Sequence, residues 1–175
     1  MRVVGGSARG RSLRSPKGVD IRPTSDRVRE SIFDVLMSLG GVQGNTVADL
    51  FAGTGALGIE ALSRGAAQAV FIERDRDAAA LVQANLDATG LAERGTVVRQ
   101  DVLRWVETAE PVDIAFADPP YAFADWPHVL ERLRADLLVV ESDREVDLGP
   151  RWRVLRAKRY GSTVVVVAEP THTDA

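Results

Sequence analysis

The sequence predicts a doubly wound α/β fold, a mostly parallel sheet of seven strands that ends in an antiparallel hairpin. Three observations predict it. Short apolar runs alternate with helical stretches between residues 46 and 141. A glycine turn, Gly53-Thr54-Gly55, stands where the first run gives way to a helix. The last two runs, 153–159 and 163–169, have only Tyr160, Gly161 and Ser162 between them. That gap is too short for a crossover helix, so these two strands must pair as a hairpin.

The elements follow in order. Residues 2–15 alternate apolar and basic stretches with Gly5, Gly6 and Gly10 as breakers, which predicts a hairpin or loose ribbon. Arg22-Pro23-Thr24-Ser25 is an extended lead-in, and Ser25 or Thr24 can cap a helix running to about Leu39. Val28, Ile32, Val35, Leu36 and Leu39 give that helix an apolar stripe, and Gly40, Gly41 and Gly44 end it. Strands are predicted at Thr46–Ala52, Ala69–Asp75, Thr96–Asp101, Asp113–Ala117 and Leu137–Glu141, then Arg153–Arg159 and Thr163–Glu169. Several are nearly unbroken apolar runs, as parallel strands covered on both faces must be. Helices are predicted at Leu57–Arg64, Arg76–Thr89, Val102–Glu107 and Trp126–Asp136. Strand–helix alternation implies right-handed crossovers and helices on both sheet faces. The chain therefore divides into a basic N-terminal extension, residues 1–45, and an α/β domain, residues 46–175.

Composition narrows the chemistry. The chain has 175 residues, 45% apolar and 27% charged, enough for one domain with a sizeable core. It has no cysteine, which excludes disulfides, thiolate–metal sites and cysteine nucleophiles. The two histidines, His128 and His172, are too few for a histidine-built metal site, so no metal is expected. No apolar signal-peptide core follows Arg2, and runs such as Val164 to Ala168 fall far short of a membrane span. A cytoplasmic protein without a membrane partner is expected, and a monomer.

The net charge of −3 hides an asymmetry. Residues 1–30 hold seven arginines and one lysine against Asp20, Asp26 and Glu30, a balance of +5 that leaves −8 for the rest. A basic arm on an acidic body suits a polyanionic partner. Arg2, Arg9, Arg11, Arg14, Lys17 and Arg22 are the candidate contacts; charge alone leaves a merely solvated N-terminus open.

The chemistry concentrates at strand ends. Asp49-Leu50-Phe51-Ala52-Gly53-Thr54-Gly55-Ala56-Leu57-Gly58 spans the first strand-to-helix turn, where open α/β sheets bind ligands. Gly53, Gly55 and Gly58 have the G-x-G-x-x-G spacing, so a nicotinamide dinucleotide must be considered. Asp49 argues against it: a carboxylate suits a cationic or hydroxyl-bearing ligand better than a pyrophosphate. No Gly-Lys-Ser/Thr follows, which excludes a P-loop. Glu73 at the end of the second strand can bind ribose hydroxyls, and Asp101 after the third can accept from an adenine amine. Either acid alone reads as a solvated loop residue; their shared place at one sheet edge does not.

Asp118-Pro119-Pro120-Tyr121 follows the fourth strand. Two prolines stop the ladder and fix the backbone, so the Pro119 carbonyl is free of strand pairing. A carboxylate, a carbonyl and a flat ring together suit an aromatic amine lying in a plane.

These motifs resemble the class I S-adenosylmethionine-dependent methyltransferases, specifically the amino-methylating group with its (Asp/Asn)-Pro-Pro-(Tyr/Phe) signature. Met1-Arg-Val-Val-Gly-Gly-Ser-Ala-Arg-Gly-Arg, Arg22-Pro-Thr-Ser-Asp-Arg-Val-Arg-Glu-Ser-Ile-Phe and the Asp49–Arg64 segment resemble the RsmD family. Those are bacterial 16S rRNA (guanine-N2)-methyltransferases. The resemblance covers Met1 to about Tyr121 and thins to Val140-Glu141-Ser142 and Tyr160-Gly161 beyond it. It implies a Rossmann-like methyltransferase fold with S-adenosylmethionine as cofactor. Asp49, Phe51, Gly53 and Gly55 would line the methionine portion, and Glu73 would hold the ribose. Asp101 would hold the adenine amine with Arg74 and Val102 beside it. Thr24 would close the site from the N-terminal side, and Asp118 to Tyr121 would hold the target guanine. The implied partner is the small ribosomal subunit or its late assembly intermediate.

Other readings fit less of the sequence. A DNA adenine or cytosine amino-methyltransferase shares the tetrad but usually needs a target-recognition domain larger than residues 1–45. A protein glutamine methyltransferase favours Asn at the position of Asp118. An NAD-dependent oxidoreductase leaves Asp118–Tyr121 and the basic arm without a role, and a non-catalytic assembly factor would not need Asp118 or Gly53.

Overall fold

The computed structural model describes residues 1–16 and 25–171. The predicted residues Lys17, Arg22 and Thr24 lie outside them.

Ser25 starts the first helix: its hydroxyl accepts from the Val28 amide at 3.2 Å, and α1 runs Asp26–Ser38. Strands β1 (Thr46–Asp49), β2 (Gln68–Ile72), β3 (Gly95–Val98), β4 (Val112–Ala117) and β5 (Ala135–Ser142) pair in parallel. Helices α2 (Ala56–Ser63), α3 (Arg76–Thr89), α4 (Val102–Trp105) and α5 (Trp126–Arg132) link them. Strands β6 (Trp152–Tyr160) and β7 (Thr163–Pro170) form an antiparallel hairpin. β7 inserts between β5 and β6, giving a seven-stranded order β3-β2-β1-β4-β5-β7-β6. The order reverses between β1 and β4, which opens a crevice at their carboxyl ends.

Strand alternation sorts the core into two layers. Val47, Phe71, Ile114, Phe116, Val139, Val165 and Val167 share a cluster with Ile32 and Phe33 of α1, Ile59 and Leu62 of α2, and Val82 and Leu86 of α3. Ala48, Ile72, Ala115, Leu138, Val140, Val164 and Val166 join Val102, Val129, Leu130 and Trp152 on the other face. No helix among the described residues is long and apolar enough to cross a membrane.

Residues 1–16 form the ribbon that the glycines predict. A single antiparallel bridge joins Arg2 to Ser12, and Val3, Ala8 and Leu13 are buried in the α1–α3 layer.

The expected elements all form, with boundaries moved by packing. β1, β2 and β3 stop at Asp49, Ile72 and Val98, short of the expected Ala52, Asp75 and Asp101. Their last residues turn into the crevice, with single bonds such as Ala52 N–H to the Ile72 carbonyl at 3.0 Å. α4 is one turn, ending at Trp105 and not Glu107. α5 ends at Arg132, because Ala135 and Asp136, expected in the helix, open β5, where Ala135 pairs with Val112.

Candidate functional site

The turns after β1, β2, β3 and β4 wall a cleft of about 740 Å³. That is ample for a nucleoside-bearing ligand with a second flat group beside it.

Asp49 lies at its floor, 2% exposed, and accepts from the Gly58 amide at 3.0 Å. Burial pushes its carboxyl up from the ordinary 3.8 to about 7; the Gly58 hydrogen bond opposes that and the charge of Glu73 adds to it. A carboxyl poised near neutrality is drawn into its charged form by a cation, so the floor favours a cationic ligand.

The glycine turn has three different requirements. Gly53 (φ +57°) lines the cleft, where an added Cβ would find only the Phe51 carbonyl at 3.9 Å. Gly55 (φ +79°) caps α2 and does not line the cleft; its Cβ would press on Val82 and Ile59 at 3.0 and 3.2 Å. Gly58 lets α2 approach β2, since a Cβ there would stand 2.3 Å from Phe71.

Glu73 sits one residue past β2 and shapes the same turn. Its two oxygens accept from the Gly53 amide at 3.0 Å and the Asp75 amide at 2.9 Å. Each oxygen keeps a further lone pair for a hydroxyl donor. Asp101 caps α4, accepting from the Leu103 amide at 2.8 Å, and its second oxygen lies 3.9 Å from the Arg74 guanidinium. Val102 is buried against the same wall.

Asp118, Pro119, Pro120 and Tyr121 follow β4 directly and line the same cleft, on the other side of β1 from Glu73 and Asp101. The Phe123 amide donates to the Pro120 carbonyl at 2.9 Å, closing a turn. Arg144 donates to the Tyr121 carbonyl at 2.8 Å and is itself held by Asp143 at 2.9 Å. Tyr121 is left 54% exposed. Phe51, Phe123 and Trp126 make an edge-to-face series with centroid spacings of 5.0 and 5.3 Å. One cleft thus joins a carboxylate-lined half to a half with an acceptor and an aromatic ring. Of the described residues predicted for cofactor and base, Gly55 alone stands behind its wall.

Residues 1–169 match the family model described as conserved hypothetical protein 95. The ribosomal RNA small subunit methyltransferase D of Escherichia coli K12 is 42% identical over 172 residues, 92% of this chain and 85% of that one. The chain belongs to the RsmD family. Another member, the Haemophilus influenzae protein of the same name, is 32% identical over 92% of this chain and 89% of its own. The solved structure of Escherichia coli yhhF superposes with a TM-score of 0.85 at 34% identity over 99% of each chain. A hypothetical protein of Thermus thermophilus gives 0.82 at 31% identity over 97% of this chain and 99% of its own. The fold is that of the class I methyltransferases, and these relatives do not favour the oxidoreductase and DNA-methylating alternatives.

In this RsmD-family chain the N-terminal ribbon is built against the cleft. Glu60, 1% exposed in α2, accepts from the Val4 and Gly5 amides at 2.9 and 2.7 Å and from Arg64 at 2.8 Å. Arg29, fully buried, donates to the Arg2 carbonyl at 2.6 Å and to Asp26 at 2.7 Å, and lies 3.8 Å from Glu60. Asn85 accepts from the Arg14 amide and donates to the Thr54 carbonyl, both at 2.8 Å. Met1, Ser25 and Val28 thereby reach the cleft wall. Arg2, Arg9, Arg11 and Arg14 are exposed on the ribbon.

Sequence reasoning missed Arg29, Glu60 and Asn85. The one signal for them was a lone carboxylate inside the otherwise apolar helix Ala56–Ser63. It also missed Glu141, Ser142, Tyr160 and Thr163, which line the cleft from β5, β6 and β7. Glu141 was detectable in principle, because it ends a parallel strand at the ligand-binding edge.

Proposed function

We propose that this chain transfers a methyl group from S-adenosylmethionine to the exocyclic N2 amine of a guanine in 16S rRNA of the small ribosomal subunit. The observation that carries the reading is the single cleft shared by Asp49, Glu73 and Asp101 with Asp118–Tyr121, in a chain of the RsmD family. The donor set fits the cofactor. A buried carboxyl with its pKa near 7 suits the positive charge of the methionine portion, and Phe51 and Gly53 leave room beside it. Glu73 accepts from the ribose hydroxyls while holding the glycine turn, and Asp101 accepts from the adenine amine between Arg74 and Val102. When bound, the cofactor supplies an electrophilic sulfonium methyl.

The remaining work belongs to the protein's own groups. The lone pair of guanine N2 is delocalised into the ring, so the amine is a poor nucleophile. The Asp118 carboxylate and the Pro119 carbonyl each accept a hydrogen bond from one of its two N–H groups, which draws the nitrogen toward tetrahedral geometry. Pro119 and Pro120 fix that carbonyl, and Tyr121 stacks on the base. Positioning of this kind supplies several kcal/mol of barrier lowering, within the ~7–11 kcal/mol that orientation can contribute. Extracting the base from its stack costs a few kcal/mol, and aromatic stacking on Tyr121 returns about 1–3 kcal/mol.

Residues 1–45 act as a docking extension and residues 46–175 as the methyl-transferring domain. Arg2, Arg9, Arg11 and Arg14, with Lys17 and Arg22, meet the RNA backbone, and Thr24 helps close the cofactor site. The substrate is the assembled or nearly assembled small subunit in the cytoplasm, whose shape supplies the specificity a small chain lacks.

The test is to map N2-methylguanine in small-subunit RNA from cells with and without the gene, then restore it with purified protein and S-adenosylmethionine. One guanine should lose its methyl group and regain it. Identical maps with and without the gene would end the proposal.

A further inference from the structure

We infer that β6 carries a second docking strip for the RNA phosphate backbone, formed by Arg153, Arg156 and Lys158 and leading to Tyr160 at the cleft. The inference rests on the RNA-directed reading above.

Among the described residues β6 is an edge strand, hydrogen-bonded in the sheet only to β7. Alternation along a regular strand would put Arg153 on one face and Arg156 and Lys158 on the other. A bulge removes that conflict. Val154 lies opposite Ala168 and Arg156 opposite Val167, so Leu155 is the extra residue. Arg156, Lys158 and Tyr160 then fall in phase with Arg153, opposite Val167, Val165, Thr163 and Glu169 respectively. Val165, Val167 and Tyr160 belong to the α1–α3 layer, which identifies the face. Arg153, Arg156 and Lys158 are exposed, and the Lys158 ammonium sits 5.0 Å from the Tyr160 ring centre. Tyr160 and Thr163 line the cleft, so the strip is continuous with the site.

Charge selects the occupant. Residues 151–171 carry five cations against Glu169, whereas residues 31–150 carry nine against twenty acids. Glu169 pairs with Arg153 at the far end, which leaves Arg156 and Lys158 nearest the cleft for anions. Two residues along a strand span about 7 Å, so the three cations present a spaced row that a flexible polyanion can follow. Cations on an edge strand also discourage edge-to-edge pairing. That service needs no face preference and no path to the cleft, and both are present here.

The experiment compares the parent with Arg153→Ala/Arg156→Ala/Lys158→Ala in filter binding to small subunits from gene-deleted cells, over a series of salt concentrations. Each single-strand phosphate contact contributes about 0.7 to the salt slope, so the triple variant should flatten it by about two units. Affinity for S-adenosylhomocysteine and the melting temperature should match the parent's. Arg153→Lys/Arg156→Lys, which keeps the charge, should retain the parent slope. Arg156→Gln/Lys158→Gln, which removes two charges but keeps long polar side chains, should flatten it by roughly 1.4 units and tests the strip even if the alanine variant folds poorly. An alanine variant with parental affinity and slope overturns the inference, as does one that only self-associates, which would assign these cations to edge protection. A parent that neither binds nor methylates the subunit instead overturns the RNA-directed reading, and this inference with it.

Discussion

Replacing Asp49 by asparagine should make the ligand-free protein more stable above neutrality. The amide keeps the shape of the side chain and an oxygen for the Gly58 amide, which Asp49 meets at 3.0 Å, but it has no charge to desolvate. In the folded chain the carboxyl titrates near 7, and in the unfolded chain near its ordinary 3.8. Between those values the folded protein holds a proton that the unfolded chain has released. The Asp49 contribution to stability therefore falls as pH rises through this window, and above pH 7 the penalty is complete. At ~1.4 kcal/mol per pH unit it amounts to about 4 kcal/mol, of which on the order of 3 kcal/mol develops between pH 5 and pH 8. Urea unfolding of parent and variant at pH 5, 6, 7 and 8 without ligand measures it, with the difference growing in favour of the variant. A difference that stays within about 1 kcal/mol across the series would refute the argument, because Asp49 would then be ionised throughout. The same carboxylate should make parental cofactor affinity rise with pH up to about 7 and then level off, a trend the variant lacks.

Four further outcomes are expected. Glu73→Ala should weaken S-adenosylhomocysteine binding by roughly 1–3 kcal/mol in calorimetry, since the charged acceptor that holds the glycine turn, and that we propose for the ribose, is lost; unchanged affinity would remove Glu73 from the site. Asp118→Ala should keep that affinity near the parent's while methyl transfer in single-turnover assays falls at least about a hundredfold, the pattern of a contact made mainly in the transition state. Arg9→Ala/Arg11→Ala/Arg14→Ala should flatten the salt dependence of subunit binding by about two to three units, roughly 0.7–0.9 per single-strand or duplex phosphate contact, and leave cofactor affinity unchanged; a parental slope would show that the ribbon does not dock. Gly58→Ala should destabilise the fold by about 1–3 kcal/mol in thermal melts, because overpacking against Phe71 outweighs the roughly 1 kcal/mol of helix propensity gained.

The parallel half of the sheet was legible because its strands are buried on both faces, so runs such as Ile114–Ala117 carry their own signature. The hairpin was legible from arithmetic, three residues being too few for a helix. Boundaries were not. Leu50, Phe51 and Ala52 are as apolar as a strand, and what ends β1 is the turn that Gly53 and Gly55 impose beyond it. The acids at the strand ends could be read because topology alone brings Asp49, Glu73 and Asp101 to one edge. Tyr160 and Thr163 could not, since nothing local says that an antiparallel hairpin folds its turn back to that edge. The Arg29–Glu60 pair was hidden for a similar reason: its meaning lies in the Val4 and Gly5 amides, more than fifty residues away from Glu60.

The placement of β7 between β5 and β6 also fixes an order of assembly. β6 precedes β7 in the chain yet has no sheet partner until β7 forms, so the parallel core cannot recruit it alone. The two strands can zip together first, on the ~1–10 μs scale of an isolated hairpin, and then dock as a unit on β5. Until they do, Leu138, Val139 and Val140 sit on an open edge, and the Val164–Val167 run lies bare on the incoming partner. A four-valine segment of high β-propensity without an intervening charge is prone to pair with copies of itself. Damage that loosens this hairpin should therefore appear as insolubility during expression well before it appears as lost chemistry in the cleft.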